Sequence, residues 1–288
     1  MAAAAALKQL MAAGMVAAPG ACDPFTARLI ARAGFDAVYL GGNALGLSLG
    51  KGQPLVTLTE TVSHAAAIVR SIDQPLIVDA GAGFGSPAHV HRTVRELESS
   101  GAAALHIDDQ PYPKSPNYHR GHGGLAPADE AKARLSVAVM ARKDKDFLII
   151  ARTDILRVTG SLDEAVARGR EYAMRGVDAL MILDLELRQV AAVRTALPDM
   201  PLVWIGGVVP PVPNLRDLAG AGFALAVYPF NTIAAIAETV SELWKTVKAT
   251  GDVPQDAALL RRMRPELSEI AGLPTYWEID DALAKGKS

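Results

Sequence analysis

The chain has 288 residues, 50% of them hydrophobic, and a formal net charge of −2. It is long enough to bury a large core, and the lack of basic runs argues against a nucleic-acid or membrane-surface partner. A lone cysteine, Cys22, excludes a disulfide framework, and no run reaches the roughly 18 apolar residues of a membrane span; a soluble cytoplasmic protein is expected.

The alanine-rich start, Met1 to Leu7, lacks the basic region of a signal peptide and reads as a short amphipathic helix. Strand-like runs follow at 15–18, 36–40, 76–79, 103–107, 147–151, 179–183, 201–205 and 223–228. Helical stretches alternate with them at 24–33, 58–71, 88–100, 127–142, 161–175, 186–196, 213–221 and 232–249. Thr57 or Thr59 can cap the second of these, and Ser161-Leu162-Asp163-Glu164 offers a start like a capping box. Gly34, Gly101, Gly176 and Gly222 each stand between a helix and the next strand, where a left-handed C-terminal cap belongs. Strand and helix alternating eight times predict an α/β protein with a (β/α)8 TIM barrel, a doubly wound open sheet being the competing arrangement. Residues 1–250 are assigned to the barrel with its N-terminal helix. Residues 251–288 form a helical arm, with helices at 255–263 and 278–285. Two loops are long, 108–126 and 206–213, and long loops at the C-terminal face of a barrel commonly gate or select substrates.

The strand ends carry the chemistry. Pro75-Leu76-Ile77-Val78 delivers Asp79, followed by glycines at 81, 83 and 85 that let a ligand approach the backbone. Asp79 reads as a hard oxygen ligand for Mg2+ or as a loop-capping aspartate. Ile107 is followed by Asp108-Asp109-Gln110; Asp108 is expected to face the barrel mouth and Asp109 to turn outward onto backbone groups. Arg152 ends the fifth strand. Its planar fork suits a substrate carboxylate, or a salt bridge to Asp79, Asp108 or Asp154. Tyr39 ends the second strand, before Gly41-Gly42-Asn43, whose backbone N–H groups and amide can meet an anion. The loop from Pro113 to His122 is dense in proton carriers, and Lys114 and His119 are the candidates it offers. His106 alternates with core residues and is expected to be packed rather than catalytic, while His89 and His91 do not share a helix face.

These stretches together resemble the isocitrate lyase/phosphoenolpyruvate mutase superfamily: Asp79 with Gly83-Phe84-Gly85, Ile107-Asp108-Asp109-Gln110, Pro113-Lys114 and Ile150-Ala151-Arg152-Thr153-Asp154. The likeness spans roughly residues 5 to 250. It implies a (β/α)8 barrel whose last helix swaps between subunits of a homotetramer. It also implies a Mg2+- or Mn2+-dependent reaction through the enolate of a small 2-oxo or 2-hydroxy carboxylate. By position, Asp79 and Asp108 correspond to the metal-site acids, Arg152 to the carboxylate-binding arginine, and Gly41-Gly42 to the backbone cradle. Lys114, His119, Tyr39 and Arg152 form the candidate catalytic set.

The departures bear on mechanism. Superfamily members usually read Asp-x-Asp-Thr-Gly after the third strand, where this chain has Gly81 and Ala82 in place of the second acid and the threonine. The usual glutamate is shortened to Asp108, and an aspartate expected near residue 52 is replaced by Gly52 or Gln53. Lyases carry a cysteine acid in a Lys-Arg/Lys-Cys-Gly-His run; here the run is Lys114-Ser115-Pro116-Asn117-Tyr118. Tyr118, His119 or His122 could then return the proton. Three functions stay open: a metal-assisted carbon–carbon lyase or decarboxylase, a member with hydrolytic or metal-poor retro-aldol chemistry, and a non-catalytic carboxylate-binding barrel.

Overall fold

Eight parallel strands pair in chain order, and the last closes back on the first. They are β1 (Val16–Ala21), β2 (Val38–Leu40), β3 (Leu76–Asp79), β4 (Ala104–Asp108), β5 (Leu148–Thr153), β6 (Ala179–Ile182), β7 (Leu202–Ile205) and β8 (Phe223–Tyr228). All eight stand where the sequence predicts them, within a few residues. The protein is thus an α/β protein with a (β/α)8 barrel. The computed structural model describes residues 2–120, 123–206, 212–254 and 257–285.

The helices are α1 (Ala2–Ala13), α2 (Pro24–Arg32), α3 (Gly42–Ser48), α4 (Leu58–Val69), α5 (Pro87–Ser99), α6 (Ala128–Ala141), α7 (Ile155–Thr159), α8 (Leu162–Ala173), α9 (Leu187–Ala196), α10 (Leu215–Ala221) and α11 (Asn231–Thr250). Thr57, not Thr59, caps α4 in a full capping box with Glu60, and the Ser161 hydroxyl accepts from the Glu164 N–H to start α8. Two helices are absent from the sequence reading, α3 and α7. Both follow a strand directly and run seven and five residues, too short for apolar periodicity to register.

Strand alternation divides the core into two shells. Leu105, Ile107, Ile149 and Ala151 face outward, with Val90, Val94, Leu135 and Ala138 of α5 and α6 in the same buried cluster. Tyr39, Ile77, Ala104, Ile150, Met181, Val203 and Leu225 fill the barrel itself. Leu7 and Ala4 of α1 join this inner cluster alongside Val16 and Ala37, at the starts of β1 and β2, so α1 closes the N-terminal end of the barrel. Burying Leu7 completely contributes about 1.5–3 kcal/mol. The opposite, C-terminal end is left for chemistry.

Compact packing splits the chain at Ile233/Ala234, inside the first turn of α11, whereas the sequence suggested residue 250. No residue of α11 is buried, and its length from Ala234 onward groups with α12 (Ala257–Ile270) and α13 (Leu273–Lys285). No described helix is long and apolar enough to cross a membrane.

Candidate active site

Two adjacent strand pairs set the site. Asp79 of β3 lies in register with His106 of β4, and Asp108 of β4 with Arg152 of β5. Residues two apart on a strand share a face, so His106 and Asp108 both point into the barrel, as do Ile150 and Arg152. Asp79, Asp108 and Arg152 are all buried at its C-terminal mouth, as the sequence suggests.

Asp79 is held by three N–H donors. Oδ1 accepts from the Gly81 N–H at 2.8 Å; Oδ2 accepts from the Gly42 N–H at 3.1 Å and the Gln53 Nε2 amide at 3.2 Å. Gly42, expected to offer its N–H to a substrate, thus directs it at Asp79. A Cβ at residue 42 would stand 2.7 Å from Gln53 Nε2 and 3.1 Å from Asp79 Oδ2, so a side chain there would push the Gln53 amide off Asp79. Gly41 is buried at the N-cap of α3, and Asn43 lies half-buried in that helix's first turn. Burial alone would raise the Asp79 carboxyl, but His106, Lys114, Arg152 and the Gly81 N–H outweigh it and hold it well below the usual carboxylate range.

Beneath Asp79, the Tyr39 hydroxyl lies 2.8 Å from His106 Nε2, and the two rings stack. His106 Nε2 is 3.7 Å from Asp79 Oδ1, while Nδ1 is buried without a partner among the described residues. Burial lowers the His106 pKa more than Asp79 raises it, so the imidazole is neutral near pH 7. The standing cations of the site are therefore Lys114 and Arg152.

Lys114 Nζ donates to Asp108 Oδ2, and the Gln110 N–H reaches Asp108 Oδ1 at 3.3 Å. Burial works against the ammonium, but Asp108 and Asp79 raise its pKa and keep it charged. Lys114 lines a narrow cleft of about 30 Å³ with Gly42, Gln53, Asp79 and Gly81, walled by Val56, Ala82, Phe84 and Tyr112. Phe84 sits at φ 58°, a left-handed conformation unusual for a bulky side chain and a sign of strain in this loop.

Of the alternatives for Arg152, the salt bridge goes to Asp154. Nε donates to its Oδ1 at 2.8 Å and Nη2 to its Oδ2 at 3.2 Å. Nη2 also donates to the Tyr118 hydroxyl at 2.8 Å, which in turn donates to Asp154 Oδ2 at 3.0 Å. Arg157 Nη1 reaches the same hydroxyl at 3.3 Å and forms a two-pronged pair with Asp184. Burial and the Asp154 carboxylate raise the Tyr118 pKa against the pull of Arg152, so the phenol keeps its proton. Asp109 turns outward, onto the Asp154 N–H as expected and onto three side chains besides. The His119 side chain and all of His122 lie outside the described residues.

Gln53, Gln110, Asp154 and Tyr118 complete the site beyond the candidate set that the sequence offers. Tyr118 and Asp154 stand inside motifs that the sequence does expose. Gln53 shows in the sequence only as a candidate replacement for a missing aspartate; its contact with Asp79 is set by a single 3-10 turn at Gln53–Leu55 that folds it back.

A divalent ion does not fit this donor set. Among the described residues no three His, Cys, Asp or Glu groups converge to hold a metal. Both oxygens of Asp79 accept N–H donors from the protein, and both oxygens of Asp108 do likewise, one of them from a cation. Mg2+ typically keeps one or two free carboxylates plus waters, so a carboxylate shared with an ammonium is a poor ligand. The expected Mg2+ or Mn2+ would have to displace the Lys114 ammonium before Asp108 could serve it as a ligand.

A family profile described as phosphoenolpyruvate phosphomutase matches residues 7–248. The chain is 34% identical to 2,3-dimethylmalate lyase of Eubacterium barkeri over 95% of both chains. A structure of oxaloacetate acetylhydrolase with the inhibitor 3,3-difluorooxalacetate superposes with a TM-score of 0.89 at 27% identity, covering 98% of this chain and 97% of that one. Phosphonopyruvate hydrolase in complex with oxalate and Mg2+ gives 0.87 at 26% identity, covering 98% and 99%.

Proposed function

Because the chain belongs to the phosphoenolpyruvate phosphomutase family, within the isocitrate lyase/phosphoenolpyruvate mutase superfamily, we propose that it is a carbon–carbon lyase acting on a small 2-hydroxy or 2-oxo carboxylic acid. One observation carries this reading: the Lys114 ammonium, reaching back from the loop after β4 to Asp108 at the end of that strand, and the Arg152 guanidinium of neighbouring β5 stand around one barrel mouth. The first meets charge at the reacting oxygen, and the second anchors a carboxylate.

In this scheme the substrate carboxylate docks on Arg152, sharing it with Asp154. The electron pair of the breaking C–C bond passes to the carbon beside a carbonyl or carboxyl group and is held as an enolate. The other fragment leaves as CO2 from a 2-oxo acid, or as a carbonyl compound from a 2-hydroxy acid whose hydroxyl proton passes to a base. The enolate carbon then takes a proton. The Tyr118 hydroxyl, bonded to Arg152, is the described proton carrier nearest the carboxylate anchor. Fixed positive charge facing the developing oxyanion is the main source of rate enhancement in a site of this kind. Incubation with oxaloacetate, 2-methylisocitrate and alkylated malates, followed for release of pyruvate or glyoxylate, tests the reading. No release from any of them would reject it.

Pro116, at the position of the lyase cysteine acid, favours hydrolysis as a second reading. Hydrolysis of oxaloacetate would give acetate and oxalate rather than pyruvate and CO2, and the same incubation separates the two. The exposed Trp244, Tyr276, Trp277, Ile279 and Leu283 of the 234–288 unit support assembly into a helix-swapped homotetramer, checked by light scattering. The single buried thiol of Cys22 suits a reducing cytoplasm.

A further inference from the structure

We infer that this chain meets the negative charge of its substrate with the Lys114 ammonium in place of a divalent metal ion. The inference rests on the keto-acid reading above and concerns which group supplies the positive charge.

Three observations lead to it. The first is the environment of Asp79: the Gly42 N–H and the Gln53 amide both enter Oδ2, and the Gly81 N–H enters Oδ1. Gln53 turns its amide N–H, not its carbonyl oxygen, toward Asp79, where a cation site would need an acceptor. The second is Asp108, whose Oδ2 is occupied by Lys114 and whose Oδ1 takes the Gln110 N–H. The third is residue 81. A Cβ there would lie 3.3 Å from Lys114 Cε and 3.5 Å from Nζ. The end of the lysine therefore covers the position at which a second metal-binding acid would project, and Gly81 is what leaves it room.

The three fit together chemically. A divalent ion between Asp79 and Asp108 would sit against a like charge, and removing the acid at 81 removes the anion that would have offset it. An ammonium has three donors; Asp108 takes one, and the group lines the same cleft as Asp79 and Gly81. No hydrogen bond among the described residues takes the remaining donors, which face the cleft for an enolate oxygen or a substrate carboxylate. Asp79 then serves as a positioning residue. It locks the turns after β2 and β3 through the Gly42 and Gly81 N–H groups and adds a second negative charge to the cleft that Lys114 lines.

Oxalate, a planar dianion resembling a 2-oxo acid enolate, is the probe. Calorimetric titrations of the full chain in EDTA and in millimolar Mg2+, corrected for Mg2+–oxalate pairing, should give dissociation constants within about twofold of each other. Lys114→Gln should weaken oxalate about 10–100-fold in both buffers, with Lys114→Arg retaining part of the affinity. Tightening by tenfold or more in Mg2+, or unchanged affinity in folded Lys114→Gln, overturns the inference and leaves the keto-acid reading standing. Absence of oxalate binding in both buffers overturns the two together. The wild-type comparison decides the matter even if Lys114→Gln fails to fold.

Discussion

Asp109 is tied to Tyr172 behind the barrel wall, 2.9 Å from carboxylate to hydroxyl, although the residue before it points into the mouth. The same oxygen accepts from Thr153 Oγ1 at 2.6 Å and Arg168 Nη1 at 3.0 Å, and the other takes the Asp154 N–H at 2.9 Å. Asp109 thus fixes the backbone that presents Arg152 and Asp154. Asp109→Ala leaves these donors buried without an acceptor and should cost about 2–4 kcal/mol, or roughly 5–10 °C in Tm. Asp108→Ala should instead reduce turnover more than Tm, so comparing melting curves with rates separates the pair.

Arg152 engages Asp154 through two nitrogens and Tyr118 through one of them. Lysine keeps the charge and loses the fork. Arg152→Lys is therefore expected to raise KM for a carboxylate substrate about 10–100-fold with a smaller change in kcat. Equal KM values for the two proteins would remove Arg152 as the carboxylate anchor.

Tyr118→Phe deletes one hydroxyl that receives Arg152 and Arg157 and donates to Asp154. As the enolate's proton source, its loss should lower kcat by about 10²–10⁴. Released enol would also take its proton from solvent without stereochemical preference, which deuterium incorporation at the product methyl or methylene would report. Wild-type kcat and stereochemistry in Tyr118→Phe would pass the role to another group.

Acid should destabilise the fold in two stages. The folded-state pKa of His106 is lowered by burial, so the unfolded chain takes up that proton first, and stability is lost as pH falls through about 6.5. The pKa values of Asp79 and Asp154 are depressed despite their burial; their contributions are present above the unfolded value near 4 and decline as pH drops below about 5. His106 faces Tyr39, Asp79, Asp108, Lys114 and Arg152. His106→Gln should flatten the change in Tm between pH 7 and about 5.5, and should also lessen the loss below about pH 5, because His106 leads the groups that hold the Asp79 carboxyl down. An unaltered upper stage would assign it elsewhere.

Gln53→Glu converts the donor on Asp79 into a second carboxylate. In EDTA the like charges should lower Tm by several degrees, and millimolar Mg2+ should restore it, while the wild-type Tm stays unmoved by the ion. A melt insensitive to Mg2+ in both proteins would show that one added acid does not create a metal site.

The sequence by itself determined the barrel and the ends of its strands. Apolar runs that stop at Asp79, Asp108 and Arg152, separated by helices with recognisable caps, carry that information locally, because period and capping are properties of a few consecutive residues. It also determined that Asp108 and Asp109 diverge, since neighbours on a strand face opposite ways. What those side chains touch was decided only by the tertiary structure. Gln53 reaches Asp79 across 26 positions, Tyr118 reaches Arg152 across 34, and Lys114 takes up Asp108 through a loop with no period to read. Whether the site holds a metal or an ammonium depends on these contacts, because the charge at a barrel mouth is the sum over groups brought together by closure of the sheet.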